Sequence, residues 1–255
     1  MGLRVAVIGG TGLVGRHLVD ELQRRAQAVV VASPTNSVDA FSGEGLREAI
    51  DDADVVVDVS NPRRTEPRDA LDYFTTATTR LLEMEHDVGV RHHVALSIVG
   101  ADSAEEDSYF AAKGAQERLI EASNLPYTIL RSTQFFEFAR DLSAWNTEDD
   151  TVRLPPMNVQ PVATSDVAAE LRRLILLDKP AGVVEMGGPE LMPLPDFVRR
   201  VLLYDHDDRY VISDARTHAD GFNLGSRHLV PIHPTTVGTT RLEAWLNEDT
   251  RVSEH

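Results

Sequence analysis

The chain has 255 residues, 42% hydrophobic and 26% charged, which is the composition of an ordinary globular protein long enough to bury a core. Its 41 acidic and 25 basic residues leave a formal net charge of −16, which argues against nucleic acid and against anionic membrane surfaces as partners. Cysteine is absent, which excludes disulfides and thiolate catalysis, and no apolar run approaches the ~20 residues of a membrane span. The N-terminus reads as a strand rather than a secretory leader. The expectation is a cytoplasmic protein, monomeric or homodimeric, with a small molecule as its partner.

In chain order, residues 3–8 (LRVAVI) read as a short buried strand that runs into a glycine turn. Over residues 13–25, Leu13, Val14, Leu18, Val19 and Leu22 recur at helical spacing. Residues 28–32 form a second β-branched run, 45–53 a short helix and 54–59 (DVVVDV) a third buried strand. A long helix is predicted over 67–88, then a strand over 93–99, a helix over 109–123 and a strand over 127–131. The strands are continuous apolar runs, as a sheet covered on both faces requires. The fold expected is α/β, a Rossmann-type doubly wound parallel sheet.

After Thr133 the rhythm changes. Pro155, Pro156 and Pro161 cluster, helices are predicted over 165–177 and 194–203, and a strand over 182–186. Residues 1–133 are expected to form a dinucleotide-binding core, with 134–255 a smaller substrate-binding or lid region packed on it as one structural unit. Thr164-Ser165-Asp166 has the residue types of an N-cap.

The first chemical signal is the glycine turn, Gly9-Gly10-Thr11-Gly12-Leu13-Val14-Gly15. Glycines at 9, 12 and 15 permit a tight turn, close approach of backbone to a pyrophosphate, and close helix–strand packing. The helix N-terminus offers free N–H groups and a positive dipole end. Gly9, Thr11, Gly12, Leu13, Val14 and Gly15 are therefore candidate cofactor contacts. A site for NAD would place an acid at the end of the second strand. Ser33-Pro34-Thr35-Asn36 contains none. That leaves room for a 2′-phosphate, to which Ser33, Thr35 and Asn36 could donate, so NADP(H) is favoured over NAD(H), which stays open.

Tyr109-Phe-Ala-Ala-Lys113 places a phenol and an ammonium one turn apart on a helix. A nearby ammonium lowers a phenol towards the working pH range and makes it an acid–base catalyst. Reduction would then fall at high pH as Tyr109 loses its proton. Ser97 ends the preceding strand, where a doubly wound sheet binds its ligands, and its hydroxyl could orient a carbonyl. Phe135, Phe136 and Phe138 follow the 127–131 strand and could wall a hydrophobic pocket, with Gln134 within reach of it. Metal binding is not expected: His92 and His93 point to opposite faces of a strand, and His206, His218, His228 and His233 lack ligand spacing. Asp205-His206-Asp207-Asp208 reads as a solvated turn.

These residues together resemble the short-chain dehydrogenase/reductases of the extended or atypical kind. The resemblance rests on GGTGLVG (9–15), on Ser97 with Tyr109 and Lys113, and on NLPYTILRSTQFFEF (124–138), which is similar to the NmrA-like, NAD(P)H-binding subgroup. It implies that Tyr109 is the acid–base residue, that Lys113 holds the nicotinamide ribose and tunes Tyr109, and that Ser97 steers the carbonyl. It further implies that Asp39 touches adenine and that Val59, Ser60 and Asn61 lie along the ribose. Relatives often carry a basic residue near position 34, where this chain has proline. The reading is an NAD(P)H-dependent oxidoreductase reducing a carbonyl on a small hydrophobic substrate. Two alternatives remain: an NmrA-like dinucleotide sensor without turnover, and a nucleotide-sugar epimerase or dehydratase.

Overall fold

The structure is a computed structural model and describes residues 2–25, 27–62, 67–103, 108–216, 229–232 and 234–253. Its first half alternates strictly: β1 (Arg4–Ile8), α1 (Leu13–Gln23), β2 (Ala28–Ala32), α2 (Leu46–Ile50), β3 (Val55–Asp58), α3 (Pro67–Val88), β4 (His92–Ile98), α4 (Tyr109–Ala122) and β5 (Tyr127–Ser132). Then follow α5 (Phe138–Trp145), β6 (Thr147–Glu148), β7 (Thr151–Leu154), β8 (Asn158–Val159), α6 (Thr164–Ile175) and β9 (Gly182–Gly187). The chain closes with β10 (Met192–Pro193), α7 (Leu194–Tyr204), β11 (Tyr210–Ser213), β12 (Thr236–Val237) and α8 (Leu242–Ser253).

A seven-stranded parallel sheet runs in the order β12-β9-β5-β4-β3-β1-β2, the Rossmann-type arrangement expected. The chain starts at β1, steps to β2 on one side, and then crosses back to β3 on the other. Strand order therefore reverses around β1, and the crevice beyond the carboxyl ends of β1 and β3 is where such a sheet takes a ligand.

The described chain divides into two compact units, residues 1–131 with 167–184, and residues 132–166 with 185–255. The division differs from a single boundary at 133, because α6 and the start of β9 belong to the first unit. In that unit, one face of the sheet (Ala6, Ile8, Ala32, Val56) packs on Leu46 and Ile50 of α2 and on Ala77 and Leu81 of α3. Further along the same layer, Ala95 and Ile129 meet Leu82 of α3 and Ile120 of α4. Helix α1 buries Leu18 and Leu22 completely, and Arg172 of α6 reaches Glu21 of α1 at 3.5 Å. The pleat sends adjacent His92 and His93 in opposite directions. His92 pairs with Thr128 at 2.9 Å, whereas His93 pairs with Glu85 of α3 at 2.8 Å.

The second unit has its own aromatic centre, in which Phe136 lies 6.3 Å from Phe197 and 5.5 Å from Trp245. Its short strands form a three-stranded sheet, β11-β7-β6, and an antiparallel pair, β8 with β10. Asp166 serves the loop before α8 rather than its own helix: Oδ2 accepts from the backbone N–H groups of Thr239 and Thr240. The turn at 205–208 is held by ion pairs, Asp205 to Arg140 and Asp207 to Arg209, with His206 in the left-handed region.

Candidate active site

The glycine turn connects β1 to α1, and each glycine answers a different need. Gly9 has φ of +80°, and a Cβ there would come 2.7 Å from the backbone of Ser60. The turn thus lies directly against the segment that leaves β3. At Gly15, a Cβ would come 2.2 Å from Gly9 O, so only glycine lets α1 approach the turn this closely. Gly12 is different, for a Cβ there would meet only Gly9 O, at 3.1 Å. Beyond that one tight contact, a Cβ on Gly12 would meet nothing else within 4 Å. Gly12 is also the N-cap of α1, provides no side-chain cap, and is followed by a first turn with no acid. The leading N–H groups of α1 are therefore available donors beside an open backbone surface, which fits a pyrophosphate. Thr11 and Leu13 are exposed there, while the Val14 side chain is buried.

At the end of β2, Ser33 is buried, and its hydroxyl lies 2.7 Å from that of Thr35. Thr35 reaches Thr11 of the glycine turn at 3.4 Å. This hydroxyl chain joins β2 to the turn with no carboxylate in it. Asn36 is turned back, donating to Val31 O at 3.1 Å. Asp39 is likewise engaged locally, as Oδ1 accepts from the N–H groups of Phe41 and Ser42.

Tyr109 opens α4, whose N-cap Ser108 accepts from Ala111 N–H at 3.1 Å. The phenol donates to Asn61 Oδ1 at 2.8 Å, which brings Tyr109 to the segment following β3. Phe74 of α3 meets the Tyr109 ring edge-on at 5.9 Å. Ser97, near the end of β4, is 4% exposed, and its hydroxyl has no hydrogen-bond partner among the described residues. Lys113 follows one turn after Tyr109 and is buried, with Nζ 4.3 Å from the Phe74 ring centre.

The relation between Tyr109 and Lys113 differs from the expectation. The Lys113 ammonium donates to Leu96 O at 2.7 Å and to Gln116 Oε1, not to the phenol. Burial pushes the Tyr109 phenol up rather than down. Burial also lowers Lys113 to about 8, against the opposing pull of the Asp58 and Glu117 carboxylates. Four-residue spacing puts both groups on one helix face, but where a long side chain ends depends on the acceptors around it. Asp58 and Gln116 escaped the sequence reading. Asp58 stood inside DVVVDV as though it were one more strand residue, yet an acid within a buried run is itself a signal.

Gln134, Phe135 and Phe136 belong to the second unit. Phe136 is fully buried in its aromatic centre, against Phe197 and Trp245. Phe135 is half-buried. Gln134 is 4% exposed with neither end of its amide hydrogen-bonded among the described residues. His218, His228 and His233 lie outside the described residues.

A family profile described as NAD(P)H-binding matches residues 9–175, well over half of the sequence. The chain belongs to the NAD(P)H-binding family. A curated relative, the photosystem II assembly factor Ycf39 of Synechocystis sp., is 26% identical over 190 residues, covering 66% of this chain. The chain spans 58% of that relative's length. Among solved structures, MoeE5 in complex with UDP-glucose and NAD matches with a TM-score of 0.72 at 19% identity, covering 99% of this chain and all of the other. The UDP-N-acetylglucosamine 4-epimerase of Bacillus cereus matches over the full length of both chains at 14% identity, TM-score 0.68. A dTDP-4-dehydrorhamnose reductase from Clostridium acetobutylicum gives a TM-score of 0.67 at 16% identity, over 83% of this chain and 84% of that one. These likenesses establish the Rossmann-type fold. They do not reach to a substrate. Among the described residues, no helix is long and apolar enough to cross a membrane.

Proposed function

We propose that this member of the NAD(P)H-binding family is a reductase acting on the carbonyl of a small, largely apolar substrate. The observation that carries the reading is the Tyr109–Asn61 hydrogen bond, which sets a phenol beside the crevice where the sheet order reverses. A reduced nicotinamide, held by the glycine turn and Lys113, would supply the hydride for the carbonyl carbon. Tyr109 gives its proton to the carbonyl oxygen and recovers one from solvent, leaving the alcohol. The unpaired Ser97 hydroxyl donates to the same oxygen and fixes its direction. Lys113 holds the ribose and offsets negative charge on the phenol as the proton leaves.

NADP(H) is the preferred cofactor on this reading, because the hydroxyl chain of Ser33, Thr35 and Thr11 offers donors and no carboxylate to a 2′-phosphate. Pro34 stands exposed in that segment, so Pro34→Arg should sharpen the preference through a guanidinium–phosphate pair. A second reading, a sensor that binds the dinucleotide without turnover, is favoured by one observation. Lys113 is held by Leu96 O and Gln116 rather than by Tyr109.

Titration with all four nicotinamide forms, followed by a carbonyl screen with the tighter reduced form, separates the two. Reduction that disappears in Tyr109→Phe supports the reductase. Tight binding with no turnover across aldehydes and ketones would leave the sensor.

A further inference from the structure

Three buried polar side chains form an ordered chain behind the candidate site. Asp58, Gln116 and Lys113 are 3%, 1% and 4% exposed. Gln116 Nε2 donates to Asp58 Oδ2 at 2.9 Å, and Gln116 Oε1 accepts from Lys113 Nζ. Asp58 Oδ1 accepts from Ser60 N–H at 2.9 Å, so the carboxylate also anchors the segment that bears Asn61, the partner of Tyr109. A carboxylate only accepts and an ammonium only donates, whereas an amide does one at each end. Set between the two, the Gln116 amide can stand only one way round. Reversed, it would face carbonyl oxygen to carboxylate and N–H₂ to ammonium.

We propose that Gln116, oriented by Asp58, is a positioning residue that fixes where the Lys113 ammonium stands beneath the dinucleotide crevice. The proposal rests on the reading of Lys113 as the ribose-holding cation. The same two contacts that place Lys113 also link it to the segment after β3, so the cation and the Tyr109 acceptor share one anchor, Asp58. The surroundings of Lys113 complete the account. Asp58 faces it from β3 and Glu117 from α4, Leu96 of β4 contributes a carbonyl, and α3 contributes the uncharged ring of Phe74. Without Gln116, the ammonium keeps a single neutral acceptor in a buried place, and its charged form loses support.

The chain contains only two lysines, Lys113 and the exposed Lys179, so Lys113 can be followed alone. The experiment is an NMR pH titration of the whole cofactor-free protein labelled with lysine carrying ¹³C at Cε, the two signals assigned with Lys179→Arg. In the wild type, Lys113 is expected to titrate near 8. Gln116→Met keeps the volume and removes the acceptor, and the midpoint should fall by about half a pH unit or more. Gln116→Glu restores an acceptor and adds charge, so it should move the midpoint the other way. Asp58→Asn should lower the midpoint in the wild type and lower it less in Gln116→Met, because part of its effect passes through the amide. Opposite signs for Met and Glu are a signature that loss of packing alone does not produce. A Gln116→Met midpoint equal to wild type, or Met and Glu moving together, overturns the proposal. Should Gln116→Met not fold, an Asp58→Asn midpoint equal to wild type overturns it instead. No cofactor and no turnover enter this measurement, so it stands or falls separately from Tyr109→Phe, which tests the reductase reading.

Discussion

In the proposed mechanism Tyr109 and Lys113 divide the work of a proton donor in a way the pH dependence should expose. Burial raises the Tyr109 phenol, so it keeps its proton well into alkaline solution. Lys113 is the group that changes charge first, near 8. An alkaline limit set by Tyr109, as its spacing to Lys113 suggested, therefore moves to Lys113. Dinucleotide affinity should fall as pH rises through about 8, as the cation that holds the ribose is lost, and calorimetric titration at several pH values checks this. The stability term has the opposite sense. Because Lys113 is lowered from 10.5 to about 8 on folding, the unfolded chain binds the proton more tightly across that interval, and Lys113 makes folding more favourable as pH climbs through it. Lys113→Met should lack this rise in urea-unfolding experiments. Tyr109→Phe keeps the ring against Phe74 and removes the hydroxyl alone, so reduction should drop by about 10²–10⁴-fold with cofactor affinity little changed. These two residues were readable from four-residue spacing and a strand–helix context. Asp58 carried only the signal of an acid in a buried run and Gln116 carried none, because neither belongs to a spacing pattern and their relation is made by two side chains that meet in the fold.

At the scale of elements, the glycine turn makes a sharp contrast testable. Gly12→Val should abolish dinucleotide binding at a small cost in stability, because its Cβ meets only Gly9 O, at 3.1 Å, while the side chain stands where backbone must meet phosphate. Gly15→Val should instead lower stability, for it drives α1 away from Gly9. Thermal unfolding and cofactor titration of the two variants read the difference. The α3–β4 contact carries a second test. His93 and Glu85 are both fully buried and paired at 2.8 Å. Burial raises the Glu85 carboxyl, while the facing Glu85 carboxylate raises His93 against its own burial. Removing one partner strands the other: His93→Leu should cost about 3–5 kcal/mol in urea unfolding, and the double variant Glu85→Leu/His93→Leu should recover much of it. The elements of the first half were legible because five strands and the long helices repeat one rhythm at sufficient length. In the second half, β6, β8, β10 and β12 are two residues each, too short for any periodicity to register. Helices α5 and α8 were passed over, α5 because it follows the aromatic run and precedes the prolines that suggested loop.

For the whole molecule, the family assignment and the order of the parallel sheet point to the crevice beyond β1 and β3 as the place for a dinucleotide. The division of the chain bears on how such a protein can be taken apart. The path of the backbone passes from one unit to the other three times, after Arg131, after Asp166 and after Val184. The first unit is thus composed of two separate stretches of sequence, and no single cut releases it. A fragment ending at Thr133 would forfeit Arg172, the partner of Glu21, and Ala181, whose N–H donates to Thr128 at 2.9 Å. It would also leave β5 without its neighbour β9 and turn an interior strand into a valence-hungry border. Such a fragment should aggregate and lose the cooperative unfolding of the full chain, and light scattering alongside denaturant titration would show it. Any minimal version of this binding unit must be stitched, with residues 167–184 joined back to the first stretch by a linker, before it can be studied alone.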